Sequence, residues 1–95
     1  MLHTDYRYIG IDFETTGLDL YKDVPIQIGI VEINVQGEVI DEFQSFIKPE
    51  KDIKELKNIV QFITKIEVAQ LVFAPSIEEI LPQISHFFDE KTIII

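Results

Sequence analysis

Ninety-five residues make one small domain or part of a larger one. Apolar residues account for 46% of the chain and are spread along it, which excludes a disordered tail, and no run approaches the ~18 apolar residues of a membrane span. There is no signal-peptide pattern and no cysteine, so neither a disulfide framework nor a thiolate metal site is possible; a cytoplasmic address fits. The net charge of −9 speaks against simple electrostatic attraction to a polyanion, which calls for a basic face. Lys48, Lys51, Lys54 and Lys57 do cluster, but Glu50, Asp52 and Glu55 are interleaved with them, as on a solvated mixed-charge surface. Carboxylates that hold cations could still meet phosphates.

Tyr8 to Phe13 reads as a first strand, rich in β-formers. Residues 26–35 form a second and residues 38–47 a third, with Val39, Phe43, Phe46 and Ile47 among the apolar members of the third. Gln36-Gly37 lies between them, and Gly37 can take the positive φ of a tight hairpin, so this pair is antiparallel. Pro25 suits the first position of its strand. From Lys48 to Ile63 the pattern is that of a loop, within which Asp52 to Asn58 could form a helical turn. Two helix starts follow, Thr64-x-x-Glu67 and Ser76-x-x-Glu79, both matching the capping box. Behind Ser76, the apolar Ile77, Ile80, Leu81, Ile84, Phe87 and Phe88 fall on one helical stripe, with Pro82 expected to kink the helix or loosen its first turn. The run Thr92-Ile93-Ile94-Ile95 reads as a strand buried on both faces, paired in parallel with an earlier strand through a helical crossover. A chain stopping in such a strand reads as cut.

The chemically informative string is Ile9-Gly10-Ile11-Asp12-Phe13-Glu14-Thr15-Thr16-Gly17-Leu18. Strand alternation points Asp12 and Glu14 to one face, and Ile11 and Phe13 to the other. Two carboxylates at the end of an apolar strand can share divalent cations, which favour oxygen ligands. Pairs of such ions ~3.5–4 Å apart clamp the attacking and leaving oxygens of a phosphodiester displacement. An isolated Asp-x-Glu pair is more often a solvated strand end. An apolar setting, where unpartnered buried carboxylates are costly, favours function. Thr15-Thr16-Gly17 would turn the chain so that backbone N–H groups lie beside the carboxylates.

The longer string resembles the first motif of the DEDD superfamily of 3′–5′ exonucleases, which includes epsilon-subunit-like proofreading domains and related domains of polymerases and helicases. The resemblance extends through Pro25-Ile26-Gln27-Ile28-Gly29, the Gly37 hairpin and Phe46-Ile47-Lys48-Pro49. It continues through Ile63-Thr64, Ala74-Pro75-Ser76 and the final isoleucines. Family members carry Gly where this chain has Phe62.

The resemblance implies an α/β, ribonuclease-H-like mixed sheet with helices, truncated after the fourth strand. Residues 1–95 would be the N-terminal part of a single, incomplete exonuclease domain. It implies hydrolysis of nucleotides from 3′ ends with two Mg²⁺ or Mn²⁺ ions in the complete domain, in replication or repair. Asp12 would bridge both metals, Glu14 would bind the one that activates water, Thr15 and Thr16 would contact the terminal nucleotide and Leu18 would pack on its base. The implied partner is a single-stranded nucleic-acid 3′ end, DNA ahead of RNA, with fusion to or association with a polymerase or helicase.

The second and third acidic motifs of the family are missing, and neither His3 nor His86 matches its general base, so the chain alone is expected to be inactive. An exposed last strand is expected to make it self-associate. Two rival readings are a non-catalytic interaction module with the same fold and an unrelated acidic binding domain. The strand order bears on the second, since the family requires strand 7–13 between strand 26–35 and strand 92–95.

Overall fold

The computed structural model describes residues 2–16, 23–50, 52–60 and 66–95. Four strands form one mixed sheet: β1 (Arg7–Thr15), β2 (Pro25–Ile33), β3 (Val39–Phe46) and β4 (Thr92–Ile94). Their order is β3-β2-β1-β4, so β1 lies between β2 and β4. That placement is the order the resemblance requires. β1 pairs antiparallel with β2 and parallel with β4, and β2 pairs antiparallel with β3. A backbone bond from Ile95 N to Ile9 O, 2.9 Å, carries the parallel pairing one step further.

The β2–β3 hairpin is built on Asn34 and Gly37. The Gly37 amide donates to Asn34 O at 3.0 Å and the Asn34 amide donates to Glu38 O at 3.0 Å. Gly37 sits at φ 83°, the left-handed position that a three-residue hairpin loop requires. The Asn34 side-chain carbonyl accepts from the Gln36 and Glu38 amides, so this residue closes the turn from inside.

Among the described residues, three helices lie between β3 and β4: α1 (Ile53–Val60), α2 (Val68–Val72) and α3 (Ile77–Ile84), followed by a 3₁₀ turn at Ser85–Phe87. The segment around Asp52 to Asn58 is therefore a full helix, started by the Asp52 carboxylate accepting the Glu55 amide at 2.8 Å. The capping box at Ser76 forms as its spacing predicts, with reciprocal Ser76–Glu79 bonds of 3.3 Å. The other does not. Glu67 is itself the N-cap of α2, and its amide donates to the Gln70 side chain at 2.7 Å; Thr64 lies outside the described residues. Helix α3 runs through Pro82 and ends two residues later, where the chain tightens into the 3₁₀ turn.

One face of the sheet is covered. Ile9, Ile28, Ile30 and Ile47 pack with Ile80, Ile84 and Phe87, with Ile11 and Phe43 against them. A second cluster joins the buried Ile26 and Leu71, flanked by Phe46, Ile66, Val68 and Val72. Only half of the apolar stripe of α3 is inside: Ile80, Ile84 and Phe87 are buried, while Leu81 is 54% exposed and Ile77 and Phe88 also face outward. Six apolar residues make a stripe wider than the sheet can cover.

The two-sided burial expected of the last strand is absent. Ile94 and Ile95 are 55% and 61% exposed. Strand β4 is at the edge of the sheet, with β1 as its one neighbour. No helix among the described residues is long and apolar enough to cross a membrane.

Candidate active site on the open face of the sheet

Asp12 and Glu14 lie in the second half of β1, and both are exposed. Alternation places them on the face opposite Ile9 and Ile11, which belong to the core. Two residues of strand separate their Cα atoms by about 7 Å. Their carboxylates therefore share a side of the sheet, as their spacing predicts. Neither is desolvated, so the costly burial that would have favoured function on the sequence is not present. Phe13 lies between them on the core side but is half exposed.

The register explains why this face has room. Asp12 is opposite Gly29, and Gly10 is opposite Val31. Gly29 and Val31 in turn face Gln44 and Glu42 on β3. Gly10, Asp12, Gly29, Val31, Glu42 and Gln44 line an open concavity of about 560 Å³. Two of these residues, Gly10 and Gly29, carry no side chain. A Cβ placed on Gly10 would come within 3.2 Å of Val31 Cγ2, a tight contact that Val31 would have to yield to.

The strand changes course just after Glu14. Glu14 pairs with Gln27, but Thr15 pairs with Pro25, leaving Ile26 as the extra residue of a bulge. Ile26 is fully buried beside Leu71, and its carbonyl accepts the Ile47 amide at 2.8 Å. Thr16 continues the pairing: its amide donates to Val24 O at 3.0 Å. The Thr16 hydroxyl donates to the Asp23 carboxylate at 2.7 Å and accepts the Val24 amide at 3.0 Å. The Thr16 amide is thus spent within the chain and does not point freely beside the carboxylates. Thr15 is exposed next to Glu14, whereas Leu18 lies outside the described residues.

The donor set is all oxygen, which suits a hard divalent cation such as Mg²⁺ or Mn²⁺. Two carboxylates supply part of a coordination shell, and the rest must come from elsewhere. Among the described residues no group of three or more His, Cys, Asp or Glu comes together to hold a metal. The histidines stand apart. His86 Nε2 pairs with Asp41 at 3.0 Å on the exposed surface, and the His3 amide bonds the Tyr8 hydroxyl.

The sequence pattern of the exonuclease family (RNase_T) matches residues 9–95, starting within β1 and including both carboxylates. This chain belongs to that family. The DNA polymerase III PolC-type of Thermotoga maritima is 37% identical over 90 residues, which span 95% of this chain and 6% of that protein. The PolC-type enzyme of Clostridium perfringens is 31% identical over 94 residues, again 95% of this chain and 6% of that protein. The chain therefore spans a small part of the curated relatives it matches. Among solved structures, a full-length 3′-exonuclease superposes with a TM-score of 0.69 at 18% identity, covering 98% of this chain and 46% of that one. Exonuclease I of E. coli, in complex with an oligonucleotide, superposes with a TM-score of 0.68 at 21% identity, covering 94% of this chain and 20% of that one. These likenesses establish the mixed-sheet, ribonuclease-H-like fold.

Sequence reasoning missed three features of the site. Gly29 opposite Asp12, Glu42 across the concavity and the Asp23–Thr16 bond all depend on strand register. Only the Thr-x₆-Asp spacing around a turn could have hinted at the last.

Proposed function

We propose that residues 1–95 are the N-terminal part of a single 3′–5′ exonuclease domain, linked to a replicative polymerase of the PolC type or a relative. The observation that carries this reading is the placement of Asp12 and Glu14. Both are exposed on the uncovered face of a central strand, beside a concavity floored by glycine, and both fall within the match to the exonuclease family. Coverage of less than half of a full-length 3′-exonuclease supports a domain that continues beyond these residues.

In this reading Asp12 and Glu14 hold divalent cations, Mg²⁺ or Mn²⁺, at the scissile phosphodiester. By resemblance, Asp12 and Glu14 would both be ligands to those ions, the carboxylates being exposed on one side of the strand. When bound, the ions would activate water and neutralise charge on the phosphoryl oxygens. By resemblance, Thr15 and Thr16 would contact the terminal nucleotide and Leu18 would pack on its base. The substrate is a single-stranded 3′ end, DNA ahead of RNA, a preference supported by the polymerase relatives; one solved neighbour, however, is a 3′-exonuclease that recognises a histone mRNA stem-loop. Replication or repair in the cytoplasm is the setting, and the 95 residues alone are inactive because two carboxylates cannot hold two cations in place.

The test uses a protein in which this chain is followed by the rest of its gene. It is given 3′-labelled and 5′-labelled single-stranded DNA, and RNA counterparts, with Mg²⁺ or Mn²⁺. Release of mononucleotides from the 3′ end, abolished by a chelator, is the expected result. Absence of any metal-dependent release, or release from the 5′ end, overturns the reading.

A further inference from the structure

We propose that Asp23 is a positioning residue for the acidic pair, acting through Thr16 to fix the bulge that follows Glu14. The inference rests on the exonuclease reading given above and names a residue outside the acidic motif.

The bulge is held from two sides. On the core side, its extra residue, Ile26, is fully buried against Leu71 and bonds Ile47 through its carbonyl. On the other side the chain leaves the sheet at Thr16, where three hydrogen bonds converge. The Thr16 amide donates to Val24 O, the Val24 amide donates to Thr16 Oγ1, and Thr16 Oγ1 donates to Asp23 Oδ1 at 2.7 Å. The hydroxyl thus both accepts and donates, and the carboxylate of Asp23 orients its proton away from Val24. Without that acceptor the hydroxyl can rotate, and the bond it receives from Val24 loses its partner geometry.

Glu14 is the last residue before the register shifts. A bulge re-aims the side chains beside it, and a bulge free to relax would let Glu14 swing relative to Asp12. Two carboxylates sharing cations must keep a fixed separation, because Mg²⁺ and Mn²⁺ impose narrow ligand geometry. Asp23 is thus the residue that converts a strand end into a rigid ligand pair. A hydrogen bond of ordinary strength, its loss felt in full at the ligand pair, is enough to weaken metal binding about tenfold.

The experiment compares wild type with Asp23→Ala, Asp23→Asn, Thr16→Val and the Asp23→Ala/Thr16→Val double variant, in the protein carrying this chain and the sequence that follows it. Three quantities are read: Mn²⁺ affinity by calorimetry without substrate, Mn²⁺ concentration for half-maximal nuclease activity, and Tm. Asp23→Ala and Thr16→Val should each weaken Mn²⁺ binding and raise the half-maximal concentration about tenfold. The double variant should be no worse than either single one, and Asp23→Asn, which keeps the acceptor and loses the charge, should behave like wild type. Tm should move by the same small amount in Asp23→Ala and Thr16→Val.

Wild-type Mn²⁺ affinity in Asp23→Ala overturns the inference while leaving the exonuclease reading intact. An Asp23→Asn variant as impaired as Asp23→Ala also overturns it, because charge and not the hydrogen bond would then be the cause. A wild-type protein that neither binds Mn²⁺ nor degrades nucleic acid overturns the exonuclease reading, and this inference with it.

Discussion

Replacing Asp12 with Asn tests the site while leaving the fold almost untouched. The substitution keeps the shape of the side chain and removes its charge. Asp12 is exposed, sits opposite a glycine and belongs to neither apolar cluster. Surface substitutions of this kind change stability by about 0.5 kcal/mol or less. For a domain of this size that is a Tm shift of only about 2–4 °C. Activity should respond very differently. Losing one preorganised group that stabilises charge in a transition state lowers kcat by about 10²–10³-fold. The decisive assay follows mononucleotide release from 3′-single-stranded DNA in Mn²⁺, alongside thermal unfolding of the same preparations. Glu14→Gln should give a parallel loss. Turnover within about threefold of wild type in Asp12→Asn, with Tm unchanged, would refute the assignment of the acidic pair.

Three further expectations concern the chain as a folded object. Phe87→Ala should destabilise by about 3–5 kcal/mol, since Phe87 is fully buried among Ile9, Ile80 and Ile84, whereas Leu81→Ala, at a position 54% exposed, should have a far smaller effect in urea titrations. Gly37→Val should lose about 1–2 kcal/mol from its backbone conformation alone, because nothing lies within 4 Å of an added Cβ; Gly37→Asn should lose much less in the same titration. The 95-residue chain should self-associate through the exposed edge of β4 and become more monomeric in Ile94→Lys; sedimentation of the unsubstituted chain as a monomer with protected amides in residues 92–95 would contradict this.

Much of this architecture is legible in the residues themselves. Alternation in β1, the glycine hairpin at 37 and the Ser76-x-x-Glu79 box are local signals whose causes lie within a few residues of their effects. The parallel return of residues 92–95 to β1 was legible too, because a helical stripe followed by an apolar run has few other topologies. What failed depends on distant parts of the chain. Whether Leu81 or Ile80 is buried depends on how wide the sheet is beneath α3. Thr64-x-x-Glu67 has the right spacing, but Glu67 caps the helix itself, with Gln70 serving as its partner. The exposure of β4 follows from its place at the sheet edge, which its apolar composition does not encode.

Charge links the two faces of the sheet. A chain with a net charge of −9 should repel a nucleic acid, and the open face adds to this with Asp12, Glu14 and Glu42. The covered face removes the apolar side chains of β1 and β2 from water, so the strand can present carboxylates on its other side without losing its anchorage. Such a surface admits a phosphodiester only if cations come between the two sets of negative charge. The feature that counts against nucleic-acid binding in the composition thus becomes, once placed on one face of a central strand, the reason that binding and metal occupancy should be coupled. Binding by a basic face weakens steadily as salt rises. Binding here should instead disappear when the divalent ion is removed at constant ionic strength, and that contrast separates a metal-dependent nuclease surface from a merely acidic one.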